Sequence, residues 1–154
     1  MLTSSGRLPQ GCDQALADMV GLVSDPDAAL MPMRAIRVDT SAHAAAGATP
    51  ALELAALLAT GAEYLRAADS LGVDAETVCA RLDARLTVDA DVFMSIAKLR
   101  AARRVWSAMT AACGVAGSDQ GLRIVAGTNE AMMTRRDPWV NLLRVTAATF
   151  GAVA

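Results

Sequence analysis

Aromatic side chains are scarce in this chain: two Phe, two Trp and one Tyr among 154 residues, or 3%. That leaves few platforms on which nucleic-acid bases could stack. It also means that any core must come from Ala, Leu, Val and Met, which reward close backbone approach. Charge is equally thin at 19%, and Lys+Arg 14 against Asp+Glu 16 leaves no surplus to attract a polyanion. Three cysteines, Cys12, Cys79 and Cys113, lie far apart without a C-x-x-C pair. With one histidine in the chain, they exclude a disulfide framework and a structural zinc site, and read as packing or loop residues. No apolar run reaches the roughly 18 residues of a membrane span, because Glu53, Glu63 and Arg66 interrupt the longest candidate. Met1 to Gln10 mixes Ser, Gly, Pro and Arg without an apolar block, so residues 1–12 read as a disordered start, not a secretion signal, and the expected compartment is the cytoplasm. Neither G-x-G-x-x-G nor a Walker A lysine motif is present.

What is present is 54% hydrophobic sequence with alternating periodicities. Leu16, Met19, Val20 and Val23 predict a short helix from Asp13, ended by the turn residues Ser24-Asp25-Pro26-Asp27. Met33 to Val38 predicts a strand. Thr49 to Ala68 predicts a long helix, with Thr49 as N-cap, Pro50 in the first turn and Glu53 near the positive end of the helix dipole. Its apolar face runs Leu54, Leu57, Leu58, Gly61, Leu65 and Ala68. Gly61 there costs about 1 kcal/mol against Ala, which implies a neighbouring backbone at close range. A shorter helix from Asp74 to Leu82 and a strand from Ala84 to Val88 follow. Asp91 then caps a helix to Cys113, with Val92, Ile96, Leu99, Arg103, Trp106 and Cys113 toward one face. Leu122 to Ala126 predicts a third strand, and Asp137-Pro138-Trp139 opens a last helix after an irregular stretch.

The order β, α, β, α, β, α with long connections favours parallel strands. Periodicity leaves open whether they form a small open sheet or part of a barrel. A complete eight-stranded barrel takes roughly 250 residues, so this length covers only part of one. Four features invite chemistry. Ala46-Gly47-Ala48-Thr49 ahead of a helix is either an anion-binding turn or a plain loop. His43 follows a strand's C-terminal end, where α/β folds place chemistry, but no nucleophile–acid pair surrounds it. Lys98, Arg100, Arg103 and Arg104 group on one helix and read as a solvated or salt-bridged face, without a nucleic-acid partner. In Met132 to Trp139, two Met, two Arg and an Asp-Pro-Trp helix start describe a docking loop or a ligand edge.

The run Thr134-Arg135-Arg136-Asp137-Pro138-Trp139-Val140-Asn141-Leu142-Leu143-Arg144 closely resembles a signature of the methylmalonyl-CoA mutase family, in particular its small-subunit branch. Three further stretches resemble it in order and spacing. They are Gly47-Ala48-Thr49 with Glu53-Leu54-Ala55 and Tyr64-Leu65-Arg66, then Asp91 with Phe93-Met94 and Ile96 to Arg100, and finally Thr128 ahead of Met132-Met133-Thr134. The likeness covers about Arg34 to the C-terminus. It implies an α/β fold that is part of a (β/α)8 TIM-type barrel, with about three parallel strands and covering helices, and residues 13–154 as one partial acyl-CoA mutase barrel domain. The implied family chemistry is an adenosylcobalamin-dependent radical isomerisation of methylmalonyl-CoA to succinyl-CoA, with the cobalamin held by a separate domain.

The departures from that pattern bear on activity. Catalytic chains carry a His shortly before the Ala-Gly-Ala turn, but in a gapless match Ala44 falls there and His43 stands one place early. Catalytic chains also carry a Gln before the Thr that Thr128 resembles, and here that position is Gly127. The cobalamin-ligating Asp-x-His-x-x-Gly motif is missing. The reading is therefore a non-catalytic small-subunit-like chain, or a fragment of one, that pairs with a catalytic chain as a heterodimer and does not by itself bind adenosylcobalamin. His43 is a weak catalytic candidate. Thr128, Asn129, Arg135 and Arg136 are the substrate-facing candidates toward an acyl-CoA. The alternative is a free-standing small α/β binding module descended from the barrel.

Overall fold

A computed structural model describes residues 11–25, 34–116 and 121–154. Its elements are α1 (Cys12–Ser24), β1 (Ile36–Asp39), α2 (Ser41–Ala45), α3 (Pro50–Ser70), α4 (Ala75–Arg81), β2 (Leu82–Val88), α5 (Val92–Ala112), β3 (Arg123–Thr128), a 3-10 turn (Glu130–Met132) and α6 (Pro138–Val153). The three strands form one parallel sheet in the order β1-β2-β3, with Ile36 opposite Leu82 and Ala84 opposite Ile124. The expected order is thus observed, and residues 1–10 of the expected disordered start lie outside the described residues. Leu82, expected to end a helix, instead starts β2, because Arg81 closes α4 directly onto the strand. The stretch after β1, for which the sequence announces no helix, contains the five-residue α2.

Local chemistry explains where the helices begin. Thr49 Oγ1 accepts from Leu52 N at 3.3 Å, Asp74 Oδ1 from Thr77 N at 2.8 Å, Asp91 Oδ1 from Met94 N at 3.0 Å and Asp137 Oδ1 from Trp139 N at 3.2 Å. Each satisfies one of the amide groups that a helix start leaves free. At the other end of α4, Arg34 donates to the carbonyls of Cys79 and Ala80, placing a cation at a helix C-terminus.

The two faces of the sheet differ in kind. Ile36 and Val38 of β1 and Leu82, Ala84, Leu86 and Val88 of β2 join one apolar cluster with Leu57, Leu65, Leu99, Trp106 and Ala148 of the helices. The alternate residues are polar. Arg37 forms a two-pronged pair with Asp83, Nε–Oδ1 2.6 Å and Nη2–Oδ2 2.8 Å, and Arg85 Nη1 lies 3.8 Å from Asp39 Oδ2. The helices therefore cover one face, and the other carries a cross-strand pattern of opposite charges. One-sided coverage of consecutive parallel strands is the arrangement of a barrel segment.

Trp106 is the largest side chain in that core, 1% exposed. A Cβ added to Gly61 would lie 2.5 Å from Trp106 Cζ3. The close approach expected at Gly61 is real, but an indole ring makes it rather than a neighbouring backbone.

Candidate functional site

Parallel α/β sheets assemble their sites at the C-terminal ends of the strands, here Asp39-Thr40, Val88-Asp89 and Thr128-Asn129. Beneath this rim lies a buried polar cluster. Glu53 of α3, 1% exposed, accepts from Lys98 Nζ at 2.6 Å, from Thr40 Oγ1 at 2.8 Å and from the Thr87 amide at 2.8 Å. Thr87 Oγ1 lies 3.0 Å from Glu53 Oε2 and accepts from Lys98 Nζ at 3.2 Å. The cause is topological. The Thr40 amide still bonds to the Arg85 carbonyl at 3.1 Å, but the chain then turns into α2, leaving the Thr87 amide without a strand partner. The Glu53 carboxylate takes the place of the missing strand. Burial raises its proton affinity, but the hydrogen bonds from Lys98, Thr87 and Thr40 outweigh that and hold the carboxyl below its ordinary range.

Two sequence expectations change here. Lys98 does not belong to the exposed group with Arg100, Arg103 and Arg104; it turns inward and is 6% exposed. Glu53 stands in the first turn of its helix as expected, but its carboxylate is buried in the core as well. The signal was present in the spacing, since Glu53, Leu57, Gly61, Leu65 and Ala68 make one buried stripe and Ser95, Lys98, Leu99, Ala102, Trp106 and Thr110 make another. The face expected on α5 is shifted accordingly, with Arg103 and Cys113 exposed.

His43 lies on the exposed side of α2, whereas its neighbour Ala44 is 6% exposed. One place along a helix is a rotation of about 100°, so the shifted histidine points to solvent and a methyl group takes the inward position. The Ala46-Thr49 turn is a plain loop. The amides of Ala46, Gly47 and Ala48 donate to Ala42, Ala44 and His43 carbonyls at 3.1, 2.9 and 3.0 Å, so those three are committed within the turn.

Thr128 is exposed at the last position of β3. Asn129 Oδ1 accepts from Ala131 N at 3.1 Å and its amide donates to Val88 O at 2.8 Å, so that side chain caps the 3-10 turn. Arg135 and Arg136 are exposed on the loop before α6. Among the described residues no hydrogen bond or ion pair joins these groups to His43. The Thr134 to Arg144 run has a structural basis. Asn141 reaches back to both backbone groups of Thr134, Oδ1 to N at 3.0 Å and Nδ2 to O at 2.8 Å, and Arg144 Nη1 reaches Asn141 Oδ1 at 3.4 Å. Gly127 has Arg85 over it: a Cβ there would be 3.0 Å from Arg85 Nε.

Cys12 and Cys113 are exposed and Cys79 is buried, all three as free thiols. An open groove of about 640 Å³ lies away from the rim, between α1, α3 and the start of β1, lined by Leu16, Met19, Ala35 and Tyr64. No helix among the described residues is long and apolar enough to cross a membrane.

The family model for methylmalonyl-CoA mutase matches residues 12–154, which adds α1 to the stretch that the resemblance covered. A methylmalonyl-CoA mutase small subunit of Streptomyces virginiae is 49% identical over 120 residues, 78% of this chain and 19% of that protein. The small subunit of Propionibacterium freudenreichii subsp. shermanii is 41% identical over 119 residues, 77% of this chain and 19% of that protein. A large subunit of Porphyromonas gingivalis is 33% identical over 108 residues, 70% of this chain and 15% of that protein. The chain thus spans about a fifth of the length of the small subunits it matches, 19%. With three parallel strands wound on one side, the Thr134–Arg144 run tied together by Asn141, and these likenesses, the chain belongs to the methylmalonyl-CoA mutase family.

Proposed function

We propose that this chain is a non-catalytic, small-subunit-like part of a methylmalonyl-CoA mutase, and that it pairs in the cytoplasm with a catalytic chain that interconverts methylmalonyl-CoA and succinyl-CoA. Residues 13–154 act as one partial barrel domain in that assembly. The observation that carries the reading is Arg85 lying over Gly127. Where catalytic chains of the family place a Gln, this chain has no side chain, and the space belongs to a guanidinium already facing Asp39 at 3.8 Å. Ala44, buried where those chains carry a His, supports the same conclusion.

In this family adenosylcobalamin supplies the radical chemistry. The residues here do not fit the Asp-x-His-x-x-Gly motif that would hold it. The one histidine is flanked as Ser41-x-His43-x-x-Ala46 on an exposed five-residue helix, with neither the Asp nor the Gly that the motif requires. No step is therefore assigned to the cofactor on this chain. Its own residues provide a wall: the Glu53–Lys98 cluster holds the ends of β1 and β2 together, and Asn141 fixes the loop that carries Arg135 and Arg136. Of the substrate-facing candidates Asn129 is committed to capping, while Thr128, Arg135 and Arg136 are the groups an acyl-CoA meets in the assembled mutase.

The test mixes the purified chain with a catalytic mutase chain, adenosylcobalamin and methylmalonyl-CoA. A stable complex is expected, with no turnover by this chain alone and no change in assembled activity on His43→Ala. Turnover by the chain alone, or loss of activity with His43→Ala, overturns the non-catalytic assignment. Failure to associate overturns the pairing. Heat on titrating a CoA ester into the unpaired chain would establish the alternative, a free-standing binding module.

A further inference from the structure

Charge is sorted along the helix layer. α1 carries Asp13 and Asp18 and no cation, whereas α5 and α6 together carry Lys98, Arg100, Arg103, Arg104 and Arg144 and no acid. Lys98 is buried on Glu53, but Arg100, Arg103 and Arg104 are exposed. The layer runs from α1 through α3 and α5 to α6, so the two signs stand at its opposite ends. A net charge of -2 conceals this separation.

Each end also carries apolar surface, and the two are opposite in shape. At the α6 end it is convex. Trp139, Leu142, Leu143, Phe150 and Val153 are each at least 60% exposed and, with Thr146 and Thr149, fill an arc of about 120° of helix that holds no charge. That bare surface is on the order of 600 Å², against the roughly 800 Å² that each side of a stable interface contributes. At the α1 end it is concave. The groove of about 640 Å³ has apolar walls from Leu16, Met19 and Leu22 of α1 and Ala59 of α3, with Asp18 and Glu63 in its lining. Its volume is that of a pocket that takes up a ring and several aliphatic groups. Arg37 also lines it, but Asp83 holds that guanidinium with two hydrogen bonds. Glu63 meets Arg66 at 3.3 Å with both side chains exposed, a pair that leaves the carboxylate open to a second cation.

We propose that the occupant of the groove is a second copy of this chain: α6 of one copy seats Trp139 and Leu143 between α1 and α3 of the next, and the arginines of α5 and α6 face Asp13, Asp18 and Glu63. The contact is a helix in a groove. It is also head to tail, so every copy keeps one free groove or one free α6 to offer, and the assembly grows into a ring or an open chain. Charge selects this occupant. Two copies joined α6 to α6 would set arginines against arginines, and two joined groove to groove would set carboxylates together with no convex face to fill the space. The inference rests on two surfaces of this chain, not on its pairing with a catalytic chain or on its being catalytically idle.

The experiment follows the full chain, alone, by sedimentation velocity over a hundredfold range of concentration. Expected are species larger than a dimer as concentration rises, with association slowed by added salt. Leu143→Lys on α6 and Ala59→Lys in the groove should each return the chain to a monomer, with thermal melts that match the dilute wild-type chain. Mixed together, these two variants should form a one-to-one dimer and nothing larger, because one intact α6 and one intact groove remain. In a Cys113→Ser background, alkylation of Cys12 should slow at least tenfold on assembly, since Cys12 stands on the groove wall and Cys79 is buried. If either variant disturbs the fold, Val153→Lys and Leu22→Lys replace them at exposed positions of the same two surfaces. A wild-type chain that stays monomeric, a dimer that ignores Ala59→Lys, or a mixture of the two variants that does not associate would each overturn the proposal. A monomer that binds a catalytic mutase chain sinks this inference and leaves the proposed function standing, and an assembly that binds no catalytic chain does the reverse.

Discussion

The two borders of the sheet are made from similar material and end in opposite states. At the β1 border Ile36 and Val38 are 7% and 1% exposed, α1 packs on β1, α3 and α4, and Leu57 of α3 is fully buried. At the β3 border no residue between Arg123 and Thr128 is fully buried, and α6 presents two aromatic and three aliphatic side chains to water. Both helices start with Pro after a capping side chain, Thr49 and Asp137. What differs is the number of neighbours. A helix with strands behind it and helices beside it buries its stripe; a helix at the end of a layer leaves much of its apolar surface bare. Apolar sequence alone does not stabilise a fold unless a partner removes it from water.

Mutations at matched positions sharpen the contrast. The largest effect is expected at the packed side. Trp106→Ala opens a cavity against Gly61 and should cost about 3–5 kcal/mol, read as a lower urea midpoint of the isolated chain. Next comes the buried pair. Lys98→Met leaves the Glu53 carboxylate without its cation and should cost roughly 3 kcal/mol, while Glu53→Gln together with Lys98→Met recovers part of that loss. That cluster and Asp39 on the charged side of β1 together set a pH dependence. Glu53 and Asp39 both have carboxyls held below their ordinary range, Asp39 because hydrogen bonds from Ser41 and the nearby Arg85 and Arg37 outweigh its desolvation. The folded state therefore binds these protons less readily than the unfolded chain. Their contribution is complete above the ordinary carboxylate value of about 4 and is lost as pH falls below it. Thermal melts from pH 7 downward should show the loss, and Glu53→Gln should flatten the profile. The smallest effect is expected at the open border, where Trp139→Ala should change the stability of the isolated chain by no more than about 0.5 kcal/mol. A loss there comparable to that at Trp106 would mean that α6 is already covered in solution, and the comparison would fail.

Much of the fold was readable from residue patterns because its signals are local. Thr49, Asp74, Asp91 and Asp137 each cap the helix expected of them, and β1, β2 and β3 fall on the alternating runs within a few residues. The site was less readable. Glu53 and Lys98 are 45 residues apart, and nothing near either one announces the other. A charged residue on a helix is ordinarily a solvated one. Only its place on a buried stripe told against that reading, and the stripe is known only once the neighbouring helix is known. Arg85 and Gly127 show the same limit. The missing side chain at 127 is visible in the sequence, but that an arginine from the adjacent strand occupies the space follows from the register of β2 on β3.

The amino-acid sequence alone determined the order of strands and longer helices, the starts of α3, α4, α5 and α6 and the likeness to the mutases. Turn, cap and periodicity signals act over a few residues, and the Thr134–Arg144 run is contiguous. The tertiary structure decided which charges are buried, that His43 faces water while Ala44 faces the core, and that α1 packs on the β1 border while α6 stays bare at the β3 border. Those outcomes depend on which distant segments meet, and burial is a property of the meeting rather than of either segment.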